Sequence, residues 1–182
     1  MIRRRHVLTA AAGGTLAAVV RPRKPRAAPP SPLHGLVRFD PPKPVPDIAF
    51  FGADGSKHHF SDFKGRGMVV NLWATWCMPC VEEMPSLAAL SKTLASSDIA
   101  VMPISSDRGG ASAVSAWFGR HDITSLPVLL DPHGDLAHAF GVRGIPTTFI
   151  IDTANRQVAS LEGAADWSAP DAEAAIKKLV AA

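Results

Sequence analysis

The chain has 182 residues, with 19 lysines and arginines against 16 aspartates and glutamates, a formal charge of +3. Seven of the basic residues and none of the acidic ones fall in residues 1–28, so the remainder carries 12 basic against 16 acidic residues, or −4. That balance excludes a basic nucleic-acid face, and with only two cysteines there is no second pair to complete a cysteine-rich zinc site.

Residues 1–28 read as an export signal. Arg3, Arg4 and Arg5 precede a largely apolar run over residues 7–20, which is short of the ~20 residues a membrane-spanning helix needs. Arg4, Arg5, His6, Val7 and Leu8 resemble a twin-arginine signal, and Arg21, Arg23, Lys24 and Arg26 form a second basic cluster. An ordinary Sec signal or an uncleaved anchor stays open, with Ala18 and Ala28 as candidate cleavage points. Residues 29–45 are expected to form a proline-rich extended linker, because prolines 29, 30, 32, 41, 42, 44 and 46 suit neither a helix nor a central strand.

The folded unit is expected over residues 46–182, long enough for one domain with a real core. Residues 48–51 and 57–60 flank Ala53, Asp54 and Gly55, a hairpin signal. Residues 62–65 read as a turn. Residues 68–72 are a short apolar, β-branched run and read as a buried strand. Residues 81–90 read as a helix, with Met84, Leu87 or Ala88, Leu90 and Leu94 three or four apart. Between strand and helix lie Cys77 and Cys80.

A Cys-x-x-Cys at a helix start has chemical consequences. The first turn offers unpaired N–H groups and the positive end of the macrodipole, which favour a thiolate. Cys77 is therefore expected to be the exposed nucleophile and Cys80 the resolving thiol. Pro79 suits a first helical turn. A structural disulfide or a metal role is the competing reading, but a bridge across two residues constrains the unfolded chain little.

Downstream, residues 99–104 read as a second buried strand, 105–110 as a loop and 111–121 as a helix presenting Val114, Trp117 and Phe118. Residues 126–130 read as a strand, 131–134 as a turn, 136–140 as a short helix, and 147–152 and 157–162 as strands. A helix over 170–180 closes the chain. The alternation predicts an α/β fold, a mixed sheet with helices on both faces. His58, His59, His121, His133 and His138 are scattered, so no metal site is expected.

Trp73, Ala74, Thr75, Trp76, Cys77, Met78, Pro79 and Cys80 together resemble the active-site motif of the thioredoxin superfamily. Gly141 to Phe149, with Gly144, Ile145, Pro146, Thr147 and Thr148, is similar to that family's loop whose proline is cis and packs beside the disulfide. The N-terminal hairpin and a central αβ insertion resemble the exported TlpA/ResA-like branch. The resemblance implies a thiol–disulfide oxidoreductase whose redox group is the Cys77–Cys80 disulfide, with no other cofactor. It implies that Trp76 belongs to the partner-receiving surface, that Trp73 faces the core, and that Ile145 and Pro146 line the substrate site. Asn71 stands where cytoplasmic thioredoxins carry a buried acid. Glu83 matches a glutamate of the branch that could accept the Cys80 proton; the competing reading is that Glu82 and Glu83 complement the helix dipole. Pro85 matches the kinking proline of the active-site helix.

The implied substrates are apocytochrome c cysteines or the copper-site cysteines of an oxidase. A membrane thiol-transfer protein would be the electron donor, in the periplasm or cell envelope. Met78 and Pro79 add no donor to the thiolate, so a reducing poise is expected. Two rivals come from other classes. A copper-binding oxidase assembly factor usually spaces its cysteines by three residues, not two. A peroxidase needs Thr-x-x-Cys, whereas Thr75 lies two residues before Cys77.

Overall fold

The computed structural model describes residues 33–181, so the expected export signal lies outside the described residues. Among the described residues eight strands form one sheet: β1 (Val37–Pro44), β2 (Phe50–Gly52), β3 (Lys57–His58), β4 (Gly67–Trp73), β5 (Ile99–Ser105), β6 (Leu129–Leu130), β7 (Thr147–Ile151) and β8 (Arg156–Glu162). The α-helices of the described residues are α1 (Met78–Thr93), α2 (Gly110–Arg120), α3 (Asp135–Ala139) and α4 (Pro170–Val180). The strand order is β1-β8-β7-β4-β5-β6-β2-β3.

β4 is the axis of this sheet. All seven of its residues are buried, which is what a continuous apolar run in a central strand requires. It pairs parallel with β5 and antiparallel with β7, so the sheet is mixed. Alternation along β4 sends Val69 and Trp73 to one face, and Met68, Val70 and Leu72 to the other. On the first face they meet Met84, Leu87 and Leu90 of α1, Val114, Trp117 and Phe118 of α2, and Ile176 and Leu179 of α4. On the second they meet Phe50, Phe60, Phe149 and Leu136 of α3. Helices on both faces and the N-terminal hairpin β2–β3 follow the expected architecture. The hairpin joins the sheet through β6, with Phe51 opposite Leu130. α2, β6 and α3 form the αβ insertion between β5 and β7.

Two expectations need correction. The proline-rich stretch is not a linker throughout: Val37–Pro44 is strand β1, paired antiparallel with β8. Its prolines are tolerated because β1 is an edge strand with an interrupted register between Arg38 and Lys43. The Asp40–Pro41 peptide is cis, and Gln157 Nε2 donates to the Pro44 carbonyl at 2.8 Å. The strand expected over 126–130 contracts to Leu129–Leu130, because only those two residues find partners on β5 and β2.

Trp73 and Trp76, three residues apart, have opposite fates. Trp73 is fully buried and stacks on Phe118 at 5.6 Å, whereas Trp76 is 70% exposed. Trp73→Ala is expected to cost about 3–5 kcal/mol in urea unfolding, and Trp76→Ala to stay within about 0.5 kcal/mol of the parent. Equal costs for the two would contradict this packing.

Candidate active site

β4 ends at Trp73, the chain turns through Ala74, Thr75 and Trp76, and Cys77 caps α1. The Cys77 N–H donates to the Ala74 carbonyl at 3.1 Å, closing the turn. Cys77 and Cys80 are joined, with S–S 2.07 Å and Cα–Cα 5.2 Å. Cys77 Sγ accepts the Cys80 N–H at 3.3 Å, the place a side-chain oxygen takes in an ordinary N-cap. That N–H and the helix end would favour negative charge on the outer sulfur once the disulfide opens. Pro79 lies in the first turn, and Pro85 lies within the helix.

The outer sulfur is more sheltered than expected. Cys77 retains 6% of its surface and Cys80 none. The reason is the loop before β7, whose Ile145 carbonyl lies 3.6 Å from Cys77 Sγ. The Ile145–Pro146 peptide is cis. This loop is tied down on both sides: Gly163 N–H donates to the Pro146 carbonyl at 2.9 Å, and Thr147 Oγ1 to Gly144 at 2.7 Å. On the exposed surface, Arg143 Nη2 donates to both carboxylate oxygens of Glu162, each at 3.0 Å. Beside the sheltered dithiol, Trp76 and Met78 present apolar surface, 70% and 67% exposed.

Below the disulfide, Glu83 is only 3% exposed. Glu82 points outward, so the two adjacent acids divide roles. Glu83 Oε1 accepts from Asn71 Nδ2 at 2.8 Å, and Oε2 accepts from Ala165 N–H at 3.0 Å and the Trp167 indole at 3.1 Å. Burial raises its pKa above the ordinary 4.5, and these three hydrogen bonds oppose the rise. Asn71 also donates to Thr148 Oγ1 at 2.9 Å, while its own Oδ1 is buried without a partner. An amide at this place therefore orients the acid instead of titrating.

Sequence reasoning missed two residues. Asp107, 5% exposed, accepts from Thr75 N–H at 2.8 Å, Thr75 Oγ1 at 2.6 Å and Ser105 Oγ at 2.6 Å. It fixes the turn before Cys77. Trp167, 1% exposed, reaches Glu83 across 84 residues of sequence. A polar Ser-Ser-Asp at the end of a buried strand was a usable signal for the first. Nothing local marked the second.

Residues 41–159 match the AhpC/TSA family. Over 121 residues the chain is 30% identical to the thiol-disulfide oxidoreductase ResA of Bacillus thuringiensis subsp. konkukian, covering 66% of this chain and 69% of that protein. A thioredoxin family thiol:disulfide interchange protein from Chlorobium tepidum superposes with TM-score 0.63 at 27% identity, covering 76% of this chain and 97% of that one. The exposed lipoprotein thioredoxin of Streptococcus pneumoniae superposes with TM-score 0.60 at 28% identity, covering 75% and 100%.

The Glu83 pKa shift carries a stability signature. Between 4.5 and the raised folded value the folded chain binds more protons than the unfolded chain, so stability falls as pH rises through that window. Below 4.5 both states are protonated and the cost vanishes. Glu83→Gln removes this titration, and Asn71 can turn its unpaired Oδ1 toward the new amide. The variant should therefore gain on the parent as pH rises from 4 to 8 in urea unfolding; a pH-independent difference would contradict the shift.

Proposed function

We propose that this chain, which belongs to the AhpC/TSA family and is a thiol–disulfide oxidoreductase, is an exported reductase of protein disulfides. Its substrates are the cysteines of apocytochrome c or of an oxidase copper site, and a membrane thiol-transfer protein re-reduces it in the periplasm or cell envelope. A twin-arginine signal over residues 1–28 is the proposed route. The observation that carries the reading is a Cys77–Cys80 bond at a helix start, flanked by exposed Trp76 and by the Ile145–Pro146 loop. A dithiol in an oxidising compartment needs a steady electron source, hence the donor.

In the reduced enzyme the Cys77 thiolate attacks one sulfur of the partner disulfide. A Cys77–partner bond forms, and the other partner sulfur leaves as a thiolate that takes a proton from water. Cys80 passes its proton to Glu83 and attacks Cys77. The Cys77–Cys80 bond re-forms, the second partner sulfur departs, and two electrons have moved from enzyme to partner. The Ile145 backbone is the proposed pairing edge for the extended substrate segment.

Two other readings have less support. For peroxide reduction, Thr75 would have to face the sulfur, but its hydroxyl and N–H are both bonded to Asp107. For a copper-binding assembly factor, a histidine would have to join the cysteines. Among the described residues no three His, Cys, Asp or Glu side chains are grouped to hold a metal ion. Copper titration of the reduced protein separates that reading, with no stoichiometric tight binding expected.

Trapping tests the reading directly. Cys80→Ser should accumulate mixed disulfides through Cys77 with cell-envelope proteins, and Cys77→Ser should accumulate none through the same route. Equal trapping by both variants, or by neither, would count against it.

A further inference from the structure

Two tryptophans are fully sequestered on the face of the sheet that carries α1, and they are used differently. Trp73 fills space, and its indole nitrogen has no partner. Trp167 has its indole nitrogen on Glu83 Oε2 at 3.1 Å. Its backbone N–H is held as well, by Ser86 Oγ at 3.1 Å, and Ser86 Oγ in turn donates to the Glu83 carbonyl at 2.7 Å. Ala165 N–H gives the second bond to Glu83 Oε2. The segment after β8 is thus fastened to the α1 residues just past Cys80, and at its start to Pro146 through Gly163.

We propose that Trp167 is a positioning residue for disulfide exchange, holding Glu83 as an oriented carboxylate one helical turn beyond Cys80, ready to receive the Cys80 proton. The proposal rests on the role given to Glu83 above. The step is a proton transfer alone: the Cys80 S–H bond breaks, a Glu83 O–H bond forms, and no electrons change hands. The resulting thiolate then attacks Cys77 and displaces the partner sulfur.

The physical logic lies in the donors. Burial opposes the charged form of Glu83, and hydrogen bonds to that form oppose burial. Asn71, Ala165 and Trp167 supply those bonds from three separate places in the sequence. When Glu83 takes the proton, its new O–H needs an acceptor. Asn71 Oδ1, buried and unpaired, is available after rotation of the amide. Removing the indole N–H takes one bond from the carboxylate, so the proton would be held to higher pH. The other titratable groups around Glu83 are Cys77 at the cap of α1, Cys80 within it, the outward-facing Glu82, and exposed Asp166, which is bonded to Ser168. β4 and β7 contribute the non-titrating Asn71 and Thr148.

The test is the pH dependence of mixed-disulfide release by the full chain, measured with a model peptide disulfide in parent, Trp167→Phe and Glu83→Gln proteins. In the parent the rate should fall on the acid side as Glu83 protonates. Trp167→Phe should move that fall upward by about half a pH unit, roughly a twofold loss at the parent's midpoint and approaching about threefold below it, with parental rates restored at higher pH. Loss of packing alone would lower the rate at every pH and leave the fall in place. An unmoved or uniformly depressed profile overturns the proposal. If Trp167→Phe does not fold, Ser86→Ala keeps the indole but frees its backbone anchor, and should move the fall the same way; no movement overturns the proposal. The two readings can fail separately. An acid fall that persists in Glu83→Gln removes the proton-acceptor role itself, whereas one that vanishes there but ignores Trp167→Phe removes only the tryptophan's part.

Discussion

An ionisable side chain with almost no exposure must be met by donors, and Glu83 organises this site because its donors come from everywhere at once. Asn71 reaches it from β4, and Ala165 and Trp167 from the segment after β8. A buried polar group left without partners costs roughly 1–3 kcal/mol, more when charged. The carboxylate therefore recruits β4, α1 and the segment after β8 to fixed positions. Asn71 extends the tie to β7 through Thr148, and Gly163 extends it to the cis-proline loop. The two walls of the dithiol, helix start and proline loop, are set against each other by one acid and its neighbours.

A second acid does the same on the other side of the dithiol. Asp107 closes the end of β5 onto Thr75, using both hydrogen-bonding groups of that residue, and Ser105 holds Asp107 in turn. Cys77 and Cys80 thus sit between two pinned points, one two residues before the pair and one three residues after it. The strand supplies direction, the helix supplies the N–H groups, and the acids remove the remaining freedom. Such preorganisation matters in thiol exchange, because three sulfurs must approach in line and misplacement is costly.

Much of this was legible in the sequence, for identifiable reasons. β4, β5 and α1 announce themselves through short apolar runs and three-to-four-residue spacing, signals that survive because these elements are buried. Cys77, Cys80 and Pro146 are read from local motifs. β1 was not legible, because proline density argues for a linker unless the strand lies at an edge, and edge position is a property of the sheet order. Trp167 and Asp107 were not legible as site residues, because their partners lie 84 and 32 residues away. Shelter of the Cys77 sulfur was hidden for the same reason: the Ile145 carbonyl that covers it is 68 residues distant. Periodicity reports which face a residue takes, and pairing across the fold decides what it meets there.

The same arrangement bears on which way electrons run. A helix N-terminus stabilises an anion by about 0.3–1 kcal/mol at the surface, and up to ~2 where partly buried. Here the helix end and one N–H favour the Cys77 thiolate. Burial of both sulfurs disfavours it. Met78 and Pro79 contribute no donor side chain, and Met78 is mostly exposed. In any such pair, a thiolate held high in energy leaves the dithiol less stable relative to the disulfide and more ready to give electrons up. That is the direction the proposed reductase needs, and burial of the two sulfurs is the contribution that pushes toward it.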